Sequence, residues 1–308
     1  MGEERGMPQK YCALRERANT DGEPIFVLMK KIQLLCSLIL LLGSGSASAQ
    51  VVLALNLQPG KTYAYSIDLD IQSRKDDQEV TMEIKSAYDI FVSGAKGDTL
   101  LLRTTYSRMV MSIVAGEMRI SGDSHATIDN DDRSPGAMMN RMMHALSGKS
   151  FLLKITREGA VLAVEGVDEM TDAVVADAGL PESEQAAFRT TFSQQFNERS
   201  IRESFTQSFN IYPNKSVKVG DSWDRKFVSN ANGLSANATY TVKAIKGDLV
   251  YLDIVSDLQM NNGSMNGTQK GNMVLEAATG LMRNGEIKQH ITGDAEINNT
   301  CTITGQLK

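Results

Sequence analysis

Cysteine, histidine and tryptophan are scarce in this chain, with three, three and one copies among 308 residues. Cys12 and Cys36 precede the segment expected to fold, which leaves Cys301 alone and excludes an intramolecular disulfide. The histidines, His125, His144 and His290, are far apart in sequence, and no pair of cysteines has zinc spacing. Gly-x-Ser-x-Gly, His-Glu-x-x-His and the dinucleotide fingerprint are absent too, so no nucleophile elbow, zinc protease or nicotinamide site is expected. No cofactor and no catalytic residue is assigned. One charge sign does not dominate either: 32 Lys and Arg face 37 Asp and Glu, for a net charge of −5. Such a balance argues against nucleic acid or an anionic membrane surface as partner.

Long apolar runs are missing as well. The longest, Ile32 to Leu42, is too short for an ordinary transmembrane helix. It follows Met29-Lys30-Lys31 and precedes Ala47-Ser48-Ala49, the three parts of a signal peptide in the right order. The expectation is a signal peptide over 29–49, a non-native extension over 1–28, and a mature chain from Gln50 with no transmembrane segment. Export places it in the periplasm, or against the outer membrane, of a Gram-negative bacterium.

What the mature chain does contain is strict alternation. Tyr63, Tyr65, Ile67, Leu69 and Ile71 point one way, and Ala64, Ser66, Asp68, Asp70 and Gln72 the other. A period of two marks a strand with one buried face. Val80, Met82, Ile84, Tyr88, Ile90 and Val92 repeat it after a polar turn, as an antiparallel partner would. Beyond Tyr106 the phase slips to Met109, Met111 and Ile113, which predicts a bulge near Ser107 and Arg108 and a curved sheet.

The stretch 121–134 is polar and acidic, but an EF-hand reading fails because Ser134 and Asn140 stand where its Gly and Glu belong. Pro135 then opens a helix carrying Met138, Met139, Met142, Met143 and His144. With no second His or Cys nearby, these thioethers are read as gap fillers or an adaptable binding surface, not as a copper site. Gly148-Lys149-Ser150 is no phosphate loop, since Met143 occupies the first glycine position.

A helical insert over 166–213 separates two β-rich halves, 50–165 and 214–308. In it Phe188, Phe192 and Phe196 recur every four residues, as do Ile201, Phe205 and Phe209, so each set lines one helical face. Five of nine phenylalanines lie here, and the flanking sheets are the apolar surface available to cover them. The halves share features in order. Gly60-Lys61-Thr62-Tyr63 matches Gly220-Asp221-Ser222-Trp223, Ala87-Tyr88 matches Thr239-Tyr240, Lys96-Gly97-Asp98 matches Lys246-Gly247-Asp248, and Glu158-Gly159-Ala160-Val161 matches Thr279-Gly280-Leu281-Met282. Their shared order points to an internal duplication.

These turns, with Tyr212-Pro213 and Val217-x-Val219-Gly220-Asp221-Ser222-Trp223, resemble uncharacterised exported proteins of Bacteroidetes-type bacteria. That resemblance implies an envelope location and no activity. The arrangement is also similar, at fold level, to periplasmic lipoprotein carriers, in which a half-barrel holds acyl chains. The fold expected is mainly β (α+β), with long curved antiparallel strands in two related halves and the helices on the concave face.

Three functional readings stay open. The leading one is a non-enzymatic envelope protein binding an apolar or amphiphilic ligand, such as a lipid, between sheet and helices. Phe188, Phe192, Phe196, Phe205, Phe209, Met138, Met139, Met142 and Met143 would line that site. The second is a structural or protein-interaction module in which the same residues simply form the core. The third is a hydrolase using carboxylates that meet only in the fold. Cys301, in the apolar phase of its strand, is expected to be a buried, inert thiol.

Overall fold

The computed structural model describes residues 50–308 except 130, 133, 230–232 and 261–262. The expected extension (1–28) and signal peptide (29–49) lie outside the described residues. In chain order come β1 (Val51–Leu53), β2 (Thr62–Lys75), β3 (Gln78–Lys96), β4 (Thr99–Ala115), β5 (Met118–Asp123), α1 (Pro135–Leu146), β6 (Ser150–Thr156) and β7 (Val161–Glu165). Three helices follow: α2 (Val167–Asp177), α3 (Glu182–Gln195) and α4 (Glu198–Phe209). The chain ends with β8 (Lys215–Val217), β9 (Ser222–Ser229), β10 (Leu234–Lys246), β11 (Leu249–Met260), β12 (Met265–Glu276), β13 (Met282–Thr292) and β14 (Glu296–Leu307).

Twelve strands form one antiparallel sheet in the order β7-β6-β4-β3-β2-β14-β13-β12-β11-β10-β9, with β5 added beside β4. The second half, β9 to β14, is a meander, because short turns join strands that pair with their chain neighbours; the first half follows the same course except that β5 and α1 intervene between the paired β4 and β6. The last strand closes the two halves into one sheet by pairing with β2, Leu307 opposite Tyr63 and Glu296 opposite Arg74. The small β1–β8 pair ties together the starts of both halves.

The halves repeat one another at the level of hydrogen bonds. Gly60 N donates to Val92 O and Val92 N to Lys61 O; Gly220 N donates to Val242 O and Val242 N to Asp221 O. Bulges recur at the corresponding places, between Val92 and Gly94 and between Val242 and Ala244. Arg157 N bonds Asp98 O as Ala277 N bonds Asp248 O. This register corrects one expected correspondence: Tyr240 stands where Ile90 does, not where Tyr88 does. Residues two apart on a strand share a face, so the alternation alone cannot tell the two alignments apart.

The sheet must curl. Eleven strands about 4.8 Å apart would span about 48 Å if flat, yet α4, a helix about 18 Å long, packs against both edge strands, β7 and β9. The predicted bulge is present, with Ala87 opposite Arg108 and Tyr88 opposite Tyr106, so that Ser107 is left over. Glycines assist on the other side. A Cβ on Gly271 would fall 2.4 Å from Glu286 O, and one on Gly267 would fall 2.3 Å from His290 O. Adjacent strands approach there more closely than a side chain allows.

The concave face is filled by helices at one end. The phenylalanine stripe divides between α3 and α4, broken at Asn197. The Asn197 side chain accepts from Ser200 N at 3.0 Å, and Ser200 Oγ accepts from Asn197 N at 3.3 Å, a reciprocal cap that starts a new helix. Phe192 and Phe196 stack at 4.6 Å, Phe205 meets Tyr88 and Phe151 edge-on, and Phe209 meets Tyr65 in the same way. Below them Leu53, Leu55, Leu57, Tyr212 and Leu281 are almost fully buried, and Tyr212 Oη donates to Gly280 O at 2.7 Å.

Candidate functional site

The strands are longer than the helices that cover them. Toward the β2–β3 turn the inner face continues in rows of residues opposite one another. One row runs Met111, Ile84, Leu69, Cys301, Ile287 across five strands. All five are half-buried, whereas Tyr63, Tyr65, Ile90 and Leu102, further along the same strands, are buried. The next row adds Ile113, Met82 and Ile71, again half-buried. This is a contiguous apolar strip on the inside of a curved sheet, open on one side. α1 flanks it: a Cβ on Gly122 of β5 would fall 2.5 Å from Met139 Cγ, so the helix lies directly on that strand.

A polar border runs along the strip where the second row crosses β14, β13 and β12. Asn299 Nδ2 donates to Gln289 Oε1 at 2.9 Å, and Gln289 Nε2 donates to Gln269 Oε1 at 2.7 Å. Asn299 Oδ1 is buried without a hydrogen-bond partner. An unpaired buried acceptor is costly, and a ligand donor is one way to satisfy it. Cys301 sits in the middle of the apolar row, half-buried, where burial pushes its thiol up to about 11. It is therefore a poor nucleophile at neutral pH.

The residues expected to line a ligand site do not form one surface. Phe192, Phe205 and Phe209 are buried in the packed interface of helices and sheet, while Phe188 and Phe196 are half-buried at its margin. Met143 is buried, Met139 and Met142 are half-buried, and Met138 is 44% exposed. His144 Nδ1 lies 3.0 Å from Ser124 O. Among the phenylalanines between α4 and the sheet lies a cavity of about 30 Å³ bounded by Tyr65, Tyr88, Phe205, Phe209 and Ile303. That is room for a water molecule or two, far below the several hundred Å³ of an ordinary ligand pocket.

Among the described residues no three His, Cys, Asp or Glu side chains group as a metal site. The carboxylates of Asp68, Asp70, Glu83, Asp253 and Asp257 fall in the outward phase of their strands, with Lys85, Arg103, Lys270 and Lys288. A face so charged is the reverse of the apolar band that a membrane-spanning barrel turns to lipid. No helix among the described residues is long and apolar enough to cross a membrane.

The model of a family of unknown function, DUF6263, matches residues 97–282, more than half of the chain. The chain belongs to that family. The matched region of this DUF6263 chain runs from the β3–β4 turn to the start of β13, and so holds both Met-rich and Phe-rich helices. No curated protein matches the sequence. Among solved structures the DUF6263 chain is similar to lipovitellin, described for its lipid–protein interactions, at 10% identity and a TM-score of 0.47. That match covers 82% of this chain and only 26% of the other. A second likeness, to OccK7 (OpdD) of Pseudomonas aeruginosa, has 8% identity and a TM-score of 0.23, covering 80% of this chain and 98% of that one.

The strip and its amide border escaped the sequence reading, although a signal existed. Gln289 lies between Ile287 and Ile291, and Asn299 between Ile297 and Cys301, each a polar residue in the inward phase of an apolar strand. Inward polar groups on such a strand need partners or a ligand.

Proposed function

We propose that this DUF6263 chain is a non-enzymatic, exported envelope protein that holds a single-chain amphiphile on the open part of its concave sheet. The observation carrying this reading is the half-buried row Met111, Ile84, Leu69, Cys301 and Ile287, bordered by the Asn299–Gln289–Gln269 amides. Apolar surface on the inside of a curved sheet gains about 25 cal/mol for each Å² that an alkyl chain covers. The amides give the polar end of such a ligand a hydrogen-bonding neighbour. Export is supported by the leader pattern before Gln50. In this reading Met139 and Met142, half-buried on α1, are adaptable side chains at the flank of the strip. Phe192, Phe205 and Phe209 support the sheet from beneath.

The test is to purify the exported form without detergent, unfold it and analyse the organic extract by mass spectrometry. Titration with 11-(dansylamino)undecanoic acid then follows. A stoichiometric amphiphile, or saturable uptake of one probe per chain, is the expected result. An empty extract together with no saturable uptake overturns the proposal and favours an interaction module with a filled core. Amino-terminal sequencing of the same material should begin at Gln50, and a start before Met29 would contradict export by this leader.

A further inference from the structure

A charged residue also breaks the inward phase. Arg225 of β9 lies between Trp223 and Phe227, whose side chains face inward, and it lies opposite Ala238 in the row that continues from Gln269 through Ser256. Its Nη2 donates to Tyr212 O, which holds the guanidinium against the end of α4. Its Nε is buried and has no hydrogen-bond partner. Beside it is a cavity of about 40 Å³ lined by Thr206 and Gln207 of α4, by Asn210 just past its end, and by Arg225, Lys226, Tyr240 and Gln269. No carboxylate lines that space: Glu203 is engaged by Ser229 Oγ at 2.6 Å, and Asp224, in the outward phase, accepts from Thr239 Oγ1 at 2.7 Å. The amide ladder is polarised toward the cavity. Because Gln269 Oε1 accepts from Gln289, its Nε2 remains as a donor at the cavity wall.

A half-buried guanidinium whose buried Nε–H is unpaired, an amide donor, and hydroxyl and amide side chains on the facing helix together describe a receptor for a small anion. We infer that this cavity receives the head of the amphiphile and that the head is a carboxylate. A planar carboxylate offers one acceptor to the Arg225 Nε–H and a second to the Gln269 amide, the two donors at the cavity wall. The cavity and the apolar strip are neighbours in the register of the sheet. Gly271, two residues from Gln269 on β12, lies opposite Ile287 on one side and Ile254 on the other, and Ile254 lies opposite Tyr240. The inference rests on the amphiphile reading, so its test must be able to separate the two.

Laurate, dodecanol and dodecyl phosphate should compete for the dansyl probe at fixed ionic strength on the full exported chain and on three variants. Wild type should prefer laurate over dodecanol by about ten- to a hundredfold, the range for hydrogen bonds to a charged group. The preference should fall to near unity in Arg225→Gln, persist in part in Arg225→Lys, and weaken in Gln269→Leu. Equal displacement by laurate and dodecanol overturns the head-group assignment while the amphiphile reading stands, and stronger displacement by dodecyl phosphate overturns the carboxylate. No displacement by any of the three overturns both. Arg225 also holds Tyr212, so thermal melting must accompany each variant. If Arg225→Gln does not fold, Gln269→Leu decides, and an undiminished laurate preference there overturns the inference.

Discussion

Gly159 and Phe209 approach so closely that a Cβ on the glycine would lie 1.5 Å from the phenylalanine carbonyl oxygen. Gly159 turns β6 into β7 with a φ of 90°, and the end of α4 sits directly on that turn. Gly280, its counterpart in the second half, has a φ of 70° and approaches Ala54 O in the same manner. Both halves thus use a left-handed glycine to dock a hairpin turn, β6–β7 in the first and β12–β13 in the second, against the buried segments at the closed end of the sheet.

Gly159→Ala should therefore destabilise by both routes, the left-handed backbone and the clash with another backbone. A loss of about 3 kcal/mol, with a fall in Tm of about 6–12 °C, is expected by calorimetry. Gly97→Ala, also left-handed but with open space around it, should cost less. Equal losses at the two sites would mean that the contact with Phe209 contributes nothing.

Phe192→Ala and Phe205→Ala should each cost about 3–5 kcal/mol in urea unfolding, because both side chains are buried among other rings. Phe188→Ala, at the half-buried margin, should cost clearly less. If Phe205→Ala left the urea midpoint unchanged, the interface between helices and sheet would be a ligand cavity and not a core.

Leu69→Glu and Ile84→Glu separate binding from folding. Both residues are half-buried in the apolar row, so the charge can reach water and the stability loss should stay near 1–2 kcal/mol. Probe affinity should drop at least tenfold. Uptake equal to wild type in a folded variant would remove the strip from the binding site.

Cys301 reports on the same row. Burial raises its thiol to about 11, so alkylation by iodoacetamide at pH 8 should be roughly a hundredfold slower than for a free cysteine. Bound amphiphile should slow it further. The folded pKa lies above the unfolded one, so the stability linked to this group is complete below about pH 8.5 and is lost as pH rises toward 11. Burial also raises Tyr240 to about 12 and lifts Tyr65, Tyr88, Tyr106 and Tyr212 in the same direction, which adds to the loss above pH 10. The urea midpoint should fall between pH 8 and pH 10.5, and Cys301→Ser should remove part of the difference.

Local rules were enough for the elements themselves. Period two placed the long strands, the phase slip after Tyr106 located the Ser107 bulge, and Pro135, Gly179 and Pro213 bounded the helical segments. These signals are legible because they depend on neighbours within a few residues. The split of the phenylalanine stripe at Asn197 was carried by an equally local cap, hidden because the four-residue spacing ran unbroken on both sides. The pairing of β14 with β2 and the meeting of both sheet edges at α4 join residues more than two hundred positions apart or depend on curvature summed over eleven strands. No local pattern encodes that sum. The candidate site follows the same division. Alternation carries which side chains face inward; for Gln289, Asn299 and Arg225 that signal was present but stood out only once the strands were paired. Which of those the helices cover, and which stay open beside a cavity, was decided only by how far α3 and α4 extend over a sheet whose strands outrun them.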